Sequence, residues 1–533
     1  MNSPPSASAD NVIAALTGIV GPANVKVGEA DRALYSSDIY SAGETCLCVV
    51  VPTTRDELAR AVAAATAAGH AVIPRGGGMS YTGGYIPVRA DSVIFDLRRL
   101  DKIIEINTAD MYVTAEAGVT WKALGEALKP LGVRTPFYGT LSGIHATVGG
   151  SVSQGALFFG SGQFGIAQES VLGLEVVLAD GTVVPTGQAA HQPGGRASKP
   201  FFRHYGPDLT GLFLGDTGAM GFKSTVTLRL MRIPASATYG SFAFEEMAPC
   251  IDAMAEIARE QLAVECVGFD PVLQSMRMRR ESLMKDVKTF ANVVTGQSSL
   301  AKGLVEGAKM AVAGRGFMDD VKYSFHLTCE DRTDAGAAER LSVCRAIVLK
   351  RGGREIENTI PKAIRAYPFT PLNNMLGPMG ERWLPVHGIF PLSDTAAAIR
   401  QTHEFFAAFR ADLEAHGIEW GYMFTPISTH AFVFEPVFYW PDQWMPIQKQ
   451  TVETAHQTKL KEPAGNAAAS AAVHKIKSEL CRHFAALGAA HLQVGKSYHY
   501  RPNRHPAAWA LLENLKSAVD PRRAVNPKSL GLE

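Results

Sequence analysis

The sequence RGGGMSYTGG, residues 75–84, decides the fold. It directly follows residues 71–74, a short apolar run that predicts a buried strand. Consecutive glycines let main-chain N–H groups converge on an anion, because no Cβ obstructs the approach. An ordinary glycine-rich turn is the alternative for this stretch taken alone. The stretch therefore predicts a phosphate-binding loop at the end of a strand.

A second glycine-rich stretch, PFYGTLSGIHATVGGSVSQG at residues 136–155, strengthens this prediction. Two separated loops can wrap one long dinucleotide from opposite sides, whereas a Rossmann site has its strand, GxGxxG and helix in one unit. A literal GxGxxG does occur, at Gly160, Gly162 and Gly165. Residues 169–178 after it indicate a strand and not the helix that would hold a pyrophosphate. We therefore interpret these glycines as part of the second loop.

The order of elements predicts two kinds of structure along the chain. A strand at residues 46–52, a helix at 56–68 and the strand at 71–74 predict parallel pairing. From residue 236 longer helices and β runs indicate a separate α+β unit. We expect four parts: residues 1–43, a cofactor domain at 44–235, a cap at 236–490, and a segment at 491–533 that returns to the cofactor domain.

Composition excludes several classes of function. The 533 residues are 46% hydrophobic and 19% charged, with 50 glycines and a formal net charge of +1. This near-zero net charge gives no electrostatic reason to expect nucleic-acid binding. Seven cysteines, an odd number with no CxxC spacing, argue against a disulfide framework and against a metal site. No window reaches the ~20 apolar residues of a membrane span. We expect a cytoplasmic enzyme with no integral membrane segment.

Six motifs resemble the vanillyl-alcohol oxidase and p-cresol methylhydroxylase (PCMH) superfamily of FAD enzymes. They are RGGGMSYTGG (75–84), VTAEAGVTW (113–121), TVGGSVSQGA (147–156), VLGLEVVLADG (171–181), LFLGDTGAMG (212–221) and DPRRAVNPKSLGL (520–532). The resemblance covers residues 44–234 and the C-terminal segment. It implies an α+β fold: a PCMH-type FAD-binding domain of two α/β subdomains, with an α+β cap over the flavin.

The resemblance also implies which residues bind FAD. They are Pro74, Arg75, Gly76, Gly77, Gly78, Met79, Ser80, Tyr81, Ser142, Gly143, Thr147, Val148, Gly149, Gly150, Ser151, Gly155, Gly165 and Asn526. Several members carry a histidine that bonds the flavin where this chain has Met79, so that covalent link is excluded. His430, in a segment weakly similar to a flavin-linking part of the cap, is a candidate for such a bond. A buried, hydrogen-bonded histidine is the alternative for His430.

For the substrate, the resemblance implies a phenol. Tyr500, Arg501 and Tyr81 match residues that hold the substrate oxygen as phenolate, and a guanidinium with two phenolic donors lowers the pKa of a bound phenol. Hydride loss from the benzylic carbon of a para-substituted phenol would then give a quinone methide. Ser142 stands where relatives carry a catalytic carboxylate, so His145 is the candidate base, with a structural flavin contact as the alternative.

Two other functions stay open at this point. In an FAD-dependent 2-hydroxy-acid dehydrogenase of the D-lactate or glycolate type, Arg501 would bind the substrate carboxylate. The histidine-rich metal motif usual in the cap of those relatives is absent from the sequence of residues 236–490. A non-catalytic flavin-binding protein is the other alternative. The electron acceptor, O2, a cytochrome or a quinone, is not decided by the sequence, and a homodimer is expected from general frequency.

Overall fold

The structure, a computed structural model, describes residues 9–278 and 320–533. The described strands are β1 Val25–Lys26, β2 Cys48–Val50, β3 Val72–Arg75, β4 Val93–Asp96, β5 Ile103–Asn107, β6 Tyr112–Glu116, β7 Val133–Arg134, β8 Val171–Val177, β9 Val183–Pro185, β10 Phe222–Arg229, β11 Met231–Arg232, β12 Ser236–Phe244, β13 Glu265–Phe269, β14 Tyr323–Asp331, β15 Arg354–Ile356, β16 Arg382–Pro385, β17 Gly388–Pro391, β18 Glu419–Ile427 and β19 Ala431–Trp440.

The described α-helices connect these strands and cover the sheets. They are α1 Ala9–Val20, α2 Glu29–Tyr35, α3 Arg55–Ala67, α4 Trp121–Leu128, α5 Val148–Gln154, α6 Ser161–Phe164, α7 Leu209–Leu212, α8 Met247–Arg259, α9 Pro271–Met278, α10 Asp334–Lys350, α11 Thr359–Ala366, α12 Thr395–Ala415, α13 Pro446–Thr451, α14 Thr454–Lys459, α15 Ala467–Ala486 and α16 Pro506–Val519.

The first sheet has the strand order β1-β2-β4-β3. Strands β2 and β3 each pair in parallel with β4, which lies between them, so the predicted parallel arrangement is correct but the two strands are not direct neighbours. Helix α3 begins after Thr54, whose side chain accepts a hydrogen bond from the Glu57 N–H. Its buried face, which includes Leu58, Ala61 and Ala65, packs against β3, and β3 ends directly before the first glycine loop.

The second sheet has the order β5-β6-β10-β8-β9 and is antiparallel throughout. The short helix α5 lies against it and carries the second glycine motif. A Cβ on Gly149 would lie 2.5 Å from the Cβ of Ala117, so only glycine lets α5 approach the end of β6 this closely. One glycine loop thus follows a strand of the first sheet, and the other glycine motif lies against the second sheet.

The third sheet, which we call the cap sheet, runs β15-β12-β14-β13-β18-β19-β16, with β17 paired to β19. Helices α8 and α10 pack on β12 and β14. Strand β19 is buried along nearly its whole length, which explains its almost continuous apolar sequence AFVFEPVFYW. Helices and antiparallel sheets together confirm the predicted α+β class.

The end of the chain returns to the first sheet. Val525 forms a parallel bridge to Val72 of β3. The Asn526 side-chain amide donates to the carbonyls of Gly84 (2.7 Å) and Thr217 (2.8 Å). The C-terminal residues therefore brace the first glycine loop from behind.

Three further features concern membrane-spanning helices, cysteines and metal sites. Within residues 9–278 and 320–533, no helix is both long and apolar enough to cross a bilayer. All seven cysteines are buried free thiols. In the same ranges, no cluster of three or more histidine, cysteine or acidic side chains is arranged to hold a metal ion.

A buried ion pair fastens the C-terminal segment. The Lys516 ammonium donates to Asp520 (2.6 Å) and to the carbonyls of Ala219 (2.7 Å) and Val525 (3.0 Å). Lys516 is 2% exposed and Asp520 is fully buried. Burial lowers the pKa of Lys516. Its ammonium is therefore stabilised in the charged form by Asp520 and by the two carbonyls that accept its hydrogen bonds.

Lys516→Met should destabilise the protein by about 3–5 kcal/mol, because it leaves the Asp520 carboxylate buried without its counter-ion. The measurement is the free energy of unfolding in urea. Lys516→Met combined with Asp520→Asn should recover part of that loss, since no buried charge is then left unpaired. A single variant as stable as the wild type would contradict this account.

Candidate active site

A cavity of about 1030 Å³ lies where the two glycine loops meet the cap sheet. Its walls come from residues 74–81, from residues 140–158, and from cap residues on β18, β19, α11 and α14. The loops are in contact with each other. A Cβ on Gly77 would overlap the His145 carbonyl, and one on Gly76 would overlap the Thr147 hydroxyl. The two glycine stretches therefore build a single site, as the sequence predicted.

The first loop is built to bind an anion. Gly76 to Ser80 all line the cavity, and within the described residues their main-chain N–H groups donate no hydrogen bond to protein. Gly78 adopts φ +71°, a left-handed conformation that glycine tolerates at no steric cost. Unpaired main-chain donors beside a cavity are expected to bind a ligand.

Arg75 supports this loop from below. Its guanidinium lies over the rings of Tyr35 (4.4 Å) and Tyr85 (5.2 Å) and does not line the cavity. A Cβ on Gly78 would lie 2.7 Å from the Arg75 Nη2 atom. Arg75 therefore places a positive charge beneath the loop and fixes its conformation.

The second loop ends at the start of α5. The Thr147 hydroxyl accepts from the Gly150 N–H (3.2 Å), and the Trp121 indole donates to the Ser151 hydroxyl (2.8 Å). Gln154, the last residue of α5, has its Oε1 atom buried without a protein hydrogen-bond partner, and the residue lines the cavity. A bound ligand that donates a hydrogen bond would satisfy this atom.

The predicted cofactor residues divide into two groups. Those that line the cavity are Pro74, Gly76, Gly77, Gly78, Met79, Ser80, Tyr81, Ser142, Thr147, Gly149, Gly150 and Ser151. Those outside the lining are Arg75, Gly143, Val148, Gly155, Gly165 and Asn526.

The second group shapes the loops from behind. A Cβ on Gly143 would overlap the Phe369 ring, and Gly155 and Gly165 pack against Gln168 and Glu169. In the literal GxGxxG, the Gly162 N–H donates to the Val264 carbonyl of the cap (3.0 Å). Gly160 packs against the Pro136 carbonyl in the second glycine stretch, and none of the three glycines of the motif lines the cavity. The interpretation of this motif as part of the flavin loop stays a prediction.

The inner end of the cavity is aromatic with a few polar groups. Tyr81 meets Trp383 edge to face, with ring centroids 5.6 Å apart. The Gln493 amide donates to the Tyr81 hydroxyl (3.2 Å), and that hydroxyl is also hydrogen-bonded to Glu435. Burial, followed by the charge of Glu435, raises the pKa of Tyr81 well above its usual value. Tyr81 therefore stays a neutral donor.

Behind Glu435 lies a buried histidine. His387 Nδ1 is 3.9 Å from the Glu435 carboxylate, and the Leu492 N–H donates to its Nε2 (2.9 Å). Nε2 also lies 3.0 Å from the Leu492 carbonyl, and Nδ1 lies 3.2 Å from the Tyr498 hydroxyl, so both ring nitrogens have polar neighbours. Burial lowers the pKa of His387 to about 3, so the ring is neutral.

Four predicted catalytic residues lie away from the cavity, which corrects their expected roles. Arg501 is exposed, with its guanidinium over the Trp509 ring (5.3 Å), and Tyr500 packs under Arg504. His145 is exposed, and only its main chain meets the first loop. His430 is exposed at the turn between β18 and β19. Of the predicted catalytic set, Tyr81 alone lines the cavity.

The sequence reasoning missed Glu435, Gln493, His387 and Tyr498. One signal was available for Glu435, because an acid inside the apolar run FVFEPVFYW is costly to bury unless it is used. Tyr498 lies two residues before Tyr500, in a segment without regular structure, where no periodicity tells which tyrosine faces inward.

Comparison with known proteins agrees with the fold and the cofactor. A family model described as an FAD-binding domain matches residues 46–187. The chain is 28% identical over 267 residues to a protein of Danio rerio named as a probable mitochondrial D-lactate dehydrogenase, covering 50% of this chain and 51% of that protein. The chain thus spans about half the length of this curated relative.

Two solved structures resemble the whole chain. A p-cresol methylhydroxylase with substrate bound gives a TM-score of 0.73 at 18% identity, covering 98% of this chain and 97% of that one. A 4-ethylphenol oxidase of Gulosibacter chungangensis, in complex with isoeugenol, gives 0.70 at 17% identity, covering 100% and 99%. At such identity the likeness shows the fold. The comparisons thus show an FAD-binding domain at residues 46–187 and, for the whole chain, the fold of these two structures.

Proposed function

We propose that the protein is an FAD-dependent oxidoreductase that takes a hydride from the benzylic carbon of a para-substituted phenol. The observation that carries this proposal is the inner end of the cavity. There a buried carboxylate, Glu435, lies beside Tyr81 and Gln493 in a slot walled by Trp383 and Tyr439. Such a slot suits a flat ring that carries a hydroxyl group.

The residues present fit the cofactor. The main-chain donors of Gly76 to Ser80 would hold its pyrophosphate, with Arg75 beneath them. Ser142, Thr147 and the start of α5 would lie along the rest of the molecule. Bound FAD would supply the hydride acceptor, a chemistry that no side chain provides.

The chain itself contributes orientation and proton transfer. Tyr81, a neutral donor, and the Gln493 amide would position the substrate hydroxyl. As hydride leaves the benzylic carbon, positive charge develops on the ring and the para-hydroxyl becomes strongly acidic. The Glu435 carboxylate can accept that proton as it is released. His387, neutral and hydrogen-bonded to Leu492, would pack behind the carboxylate.

This account replaces the predicted phenolate site. A guanidinium would have favoured the ionised phenol before reaction, but Arg501 lies outside the cavity. With a carboxylate in its place, the phenol binds as the neutral form and loses its proton during the reaction. The change of mechanism follows from the sign of the charge at the inner end.

The same charge argues against a 2-hydroxy-acid substrate. Within the described residues, no arginine lines the cavity, and Glu435 would repel a substrate carboxylate bound at the inner end. The similarity to a D-lactate dehydrogenase covers half of this chain. A non-catalytic flavin-binding protein is disfavoured because Glu435, an expensive group to bury, faces the cavity.

The direct test is anaerobic reduction of the flavin. The purified, oxidised holoprotein is mixed with 4-alkylphenols, with 4-hydroxybenzyl alcohol, and separately with D-lactate and glycolate, while the flavin absorbance is followed. We expect phenols to bleach the flavin and the hydroxy acids to leave it oxidised. Bleaching by the hydroxy acids alone would overturn the substrate assignment, and no bleaching by any compound would favour a binding protein.

Glu435→Gln should lower the limiting rate of flavin reduction by about 10²- to 10⁴-fold, the usual contribution of a general base. Glutamine keeps the size of the side chain but cannot accept the proton. Glu419→Gln, the same change at an exposed site on β18, is the matched control and should leave the rate unchanged. A fall of less than tenfold for Glu435→Gln would remove Glu435 from the mechanism.

Gly77→Ala should greatly reduce the flavin content of the purified protein, because the new Cβ overlaps the His145 carbonyl and forces the two loops apart. The ratio of flavin to protein absorbance measures the effect, and circular dichroism checks the fold. Gly18→Ala is the control, since a Cβ there meets nothing within 4 Å. Full flavin content in Gly77→Ala would show that close contact of the loops is not required.

A further inference from the structure

We propose that Asp38 and Lys496 are positioning residues for the substrate, because together they hold the main chain of Gly83 and so place Tyr81 beside Gln493. This inference rests on the proposed function, since Tyr81 and Gln493 are the donors that would bind the substrate hydroxyl. It also gives the N-terminal segment, residues 1–43, a part in the active site.

Asp38 lies in a tight loop of the N-terminal segment. The main-chain N–H groups of Tyr40 (2.8 Å) and Ser41 (2.7 Å) donate to its Oδ1 atom. Its Oδ2 atom accepts from the N–H of Gly83 (2.9 Å), near the end of the first glycine loop. The Asp38 side chain is fully buried. One carboxylate therefore joins the N-terminal segment to the loop that carries Tyr81.

Lys496 holds the same stretch of the loop from the C-terminal segment. Its ammonium donates to the carbonyls of Gly83 (3.3 Å) and Gly84 (3.5 Å) and to Asn526 Oδ1 (2.8 Å). Its main-chain N–H donates to the Thr82 carbonyl (3.0 Å). The C-terminal segment is therefore attached to the first glycine loop by both main chain and side chain.

The charges of these two side chains strengthen the contacts. A hydrogen bond with one ionised partner is stronger than a bond between neutral groups. Burial lowers the pKa of Lys496 to about 7, and the charge of Asp38 opposes that shift. Asp38 thus helps to keep Lys496 protonated, so loss of the carboxylate weakens the contact that Lys496 makes as well.

Gly83 needs such outside partners. It adopts φ +69°, a left-handed conformation, and glycine restricts its own main chain less than any other residue. Tyr81 lies two residues before Gly83, and Gln493 lies three residues before Lys496. The Gln493 amide donates to the Tyr81 hydroxyl (3.2 Å). Movement of Gly83 against Lys496 would therefore change the separation of these two substrate donors.

The N-terminal segment also reaches the cavity. Ile39, the neighbour of Asp38, lines the cavity and packs in the apolar cluster that includes Tyr81 and Trp383. It is buried, as Asp38 is. Displacement of Asp38 would therefore move part of the cavity wall together with the glycine loop.

The test is calorimetric binding of phenol to the oxidised holoprotein. Phenol has no benzylic carbon, so it binds without reacting. Tyr81→Phe should weaken its binding about fivefold, the usual effect of losing one hydrogen bond. Lys496→Met and Asp38→Asn should each weaken it by a similar factor, because Tyr81 and Gln493 are then no longer held at a fixed separation.

Coupling between the variants separates positioning from stability. In the Lys496→Met background, Tyr81→Phe should weaken phenol binding by less than about twofold, because the hydroxyl that it removes is already misplaced. Flavin content should stay near that of the wild type, since within the described residues neither Asp38 nor Lys496 lines the cavity. A general loss of stability would lower the flavin content and leave the effect of Tyr81→Phe unchanged.

Matched controls carry the same substitutions at exposed positions. They are Lys350→Met, at the end of α10, and Asp252→Asn, on α8, and both should bind phenol as the wild type does. Lys496→Gln keeps a hydrogen-bond donor without the charge. It takes the place of Lys496→Met should that variant not fold, and it should show the same coupling to Tyr81.

The positioning role is overturned if either Asp38→Asn or Lys496→Met binds phenol as the wild type does, or if Tyr81→Phe has the same effect in both backgrounds. Failure of the proposed function gives a different result. Should no phenol reduce the flavin while the coupling is found, the positioning role holds and the reaction is wrong. Should 4-alkylphenols reduce the flavin without the coupling, the reaction holds and the positioning role is wrong. A wild type that does not bind phenol would reject both.

Discussion

The contact between two glycine loops is the constraint on which the rest of this structure depends. Gly76 and Gly77 press against the main chain and side chain of residues 145–147, at separations that leave no room for a Cβ. The loops come from two different sheets, one mixed and one antiparallel, so the sheets must be fixed relative to each other before the site exists. The buried Lys516–Asp520 pair and the Asn526 amide hold the C-terminal segment behind the first loop and so help to fix it.

The cap sheet completes the site by supplying charge that the loops lack. A loop of main-chain donors can hold an anion, but it has no group that accepts a proton. Glu435 supplies one from the middle of β19, where the surrounding strand is apolar and the carboxylate is bonded to Tyr81. Behind it lies His387, which burial keeps uncharged and which contacts the main chain of Leu492. The carboxylate at the end of the aromatic slot is therefore held by two parts of the chain that are far apart in sequence, the first glycine loop and strand β19.

The substrate residues were the part of the site that sequence reasoning placed wrongly. In the segment Lys496–Arg501, Tyr498 is buried against His387 while Tyr500 packs under Arg504 and Arg501 lies over Trp509. No helix or strand sets a periodicity there, so a shift of two residues was not detectable from the pattern. A carboxylate, Glu435, lies at the inner end of the cavity where a guanidinium was expected, and this difference changes the mechanism that we propose.

The sequence alone established the α+β class and the two glycine loops, because glycine spacing and strand patterns are local signals with direct steric meaning. Its resemblance to known FAD enzymes identified the cofactor. It also determined that Met79 excludes a histidyl flavin bond at that position. The tertiary structure was needed to show which side chains face the cavity, since Glu435, Gln493 and Tyr81 meet through long-range packing that no local pattern encodes. It likewise showed that Gly162 approaches the cap while Gly160 packs on Pro136 and Gly165 on Glu169, because a glycine pattern states where a close approach is possible but not what approaches.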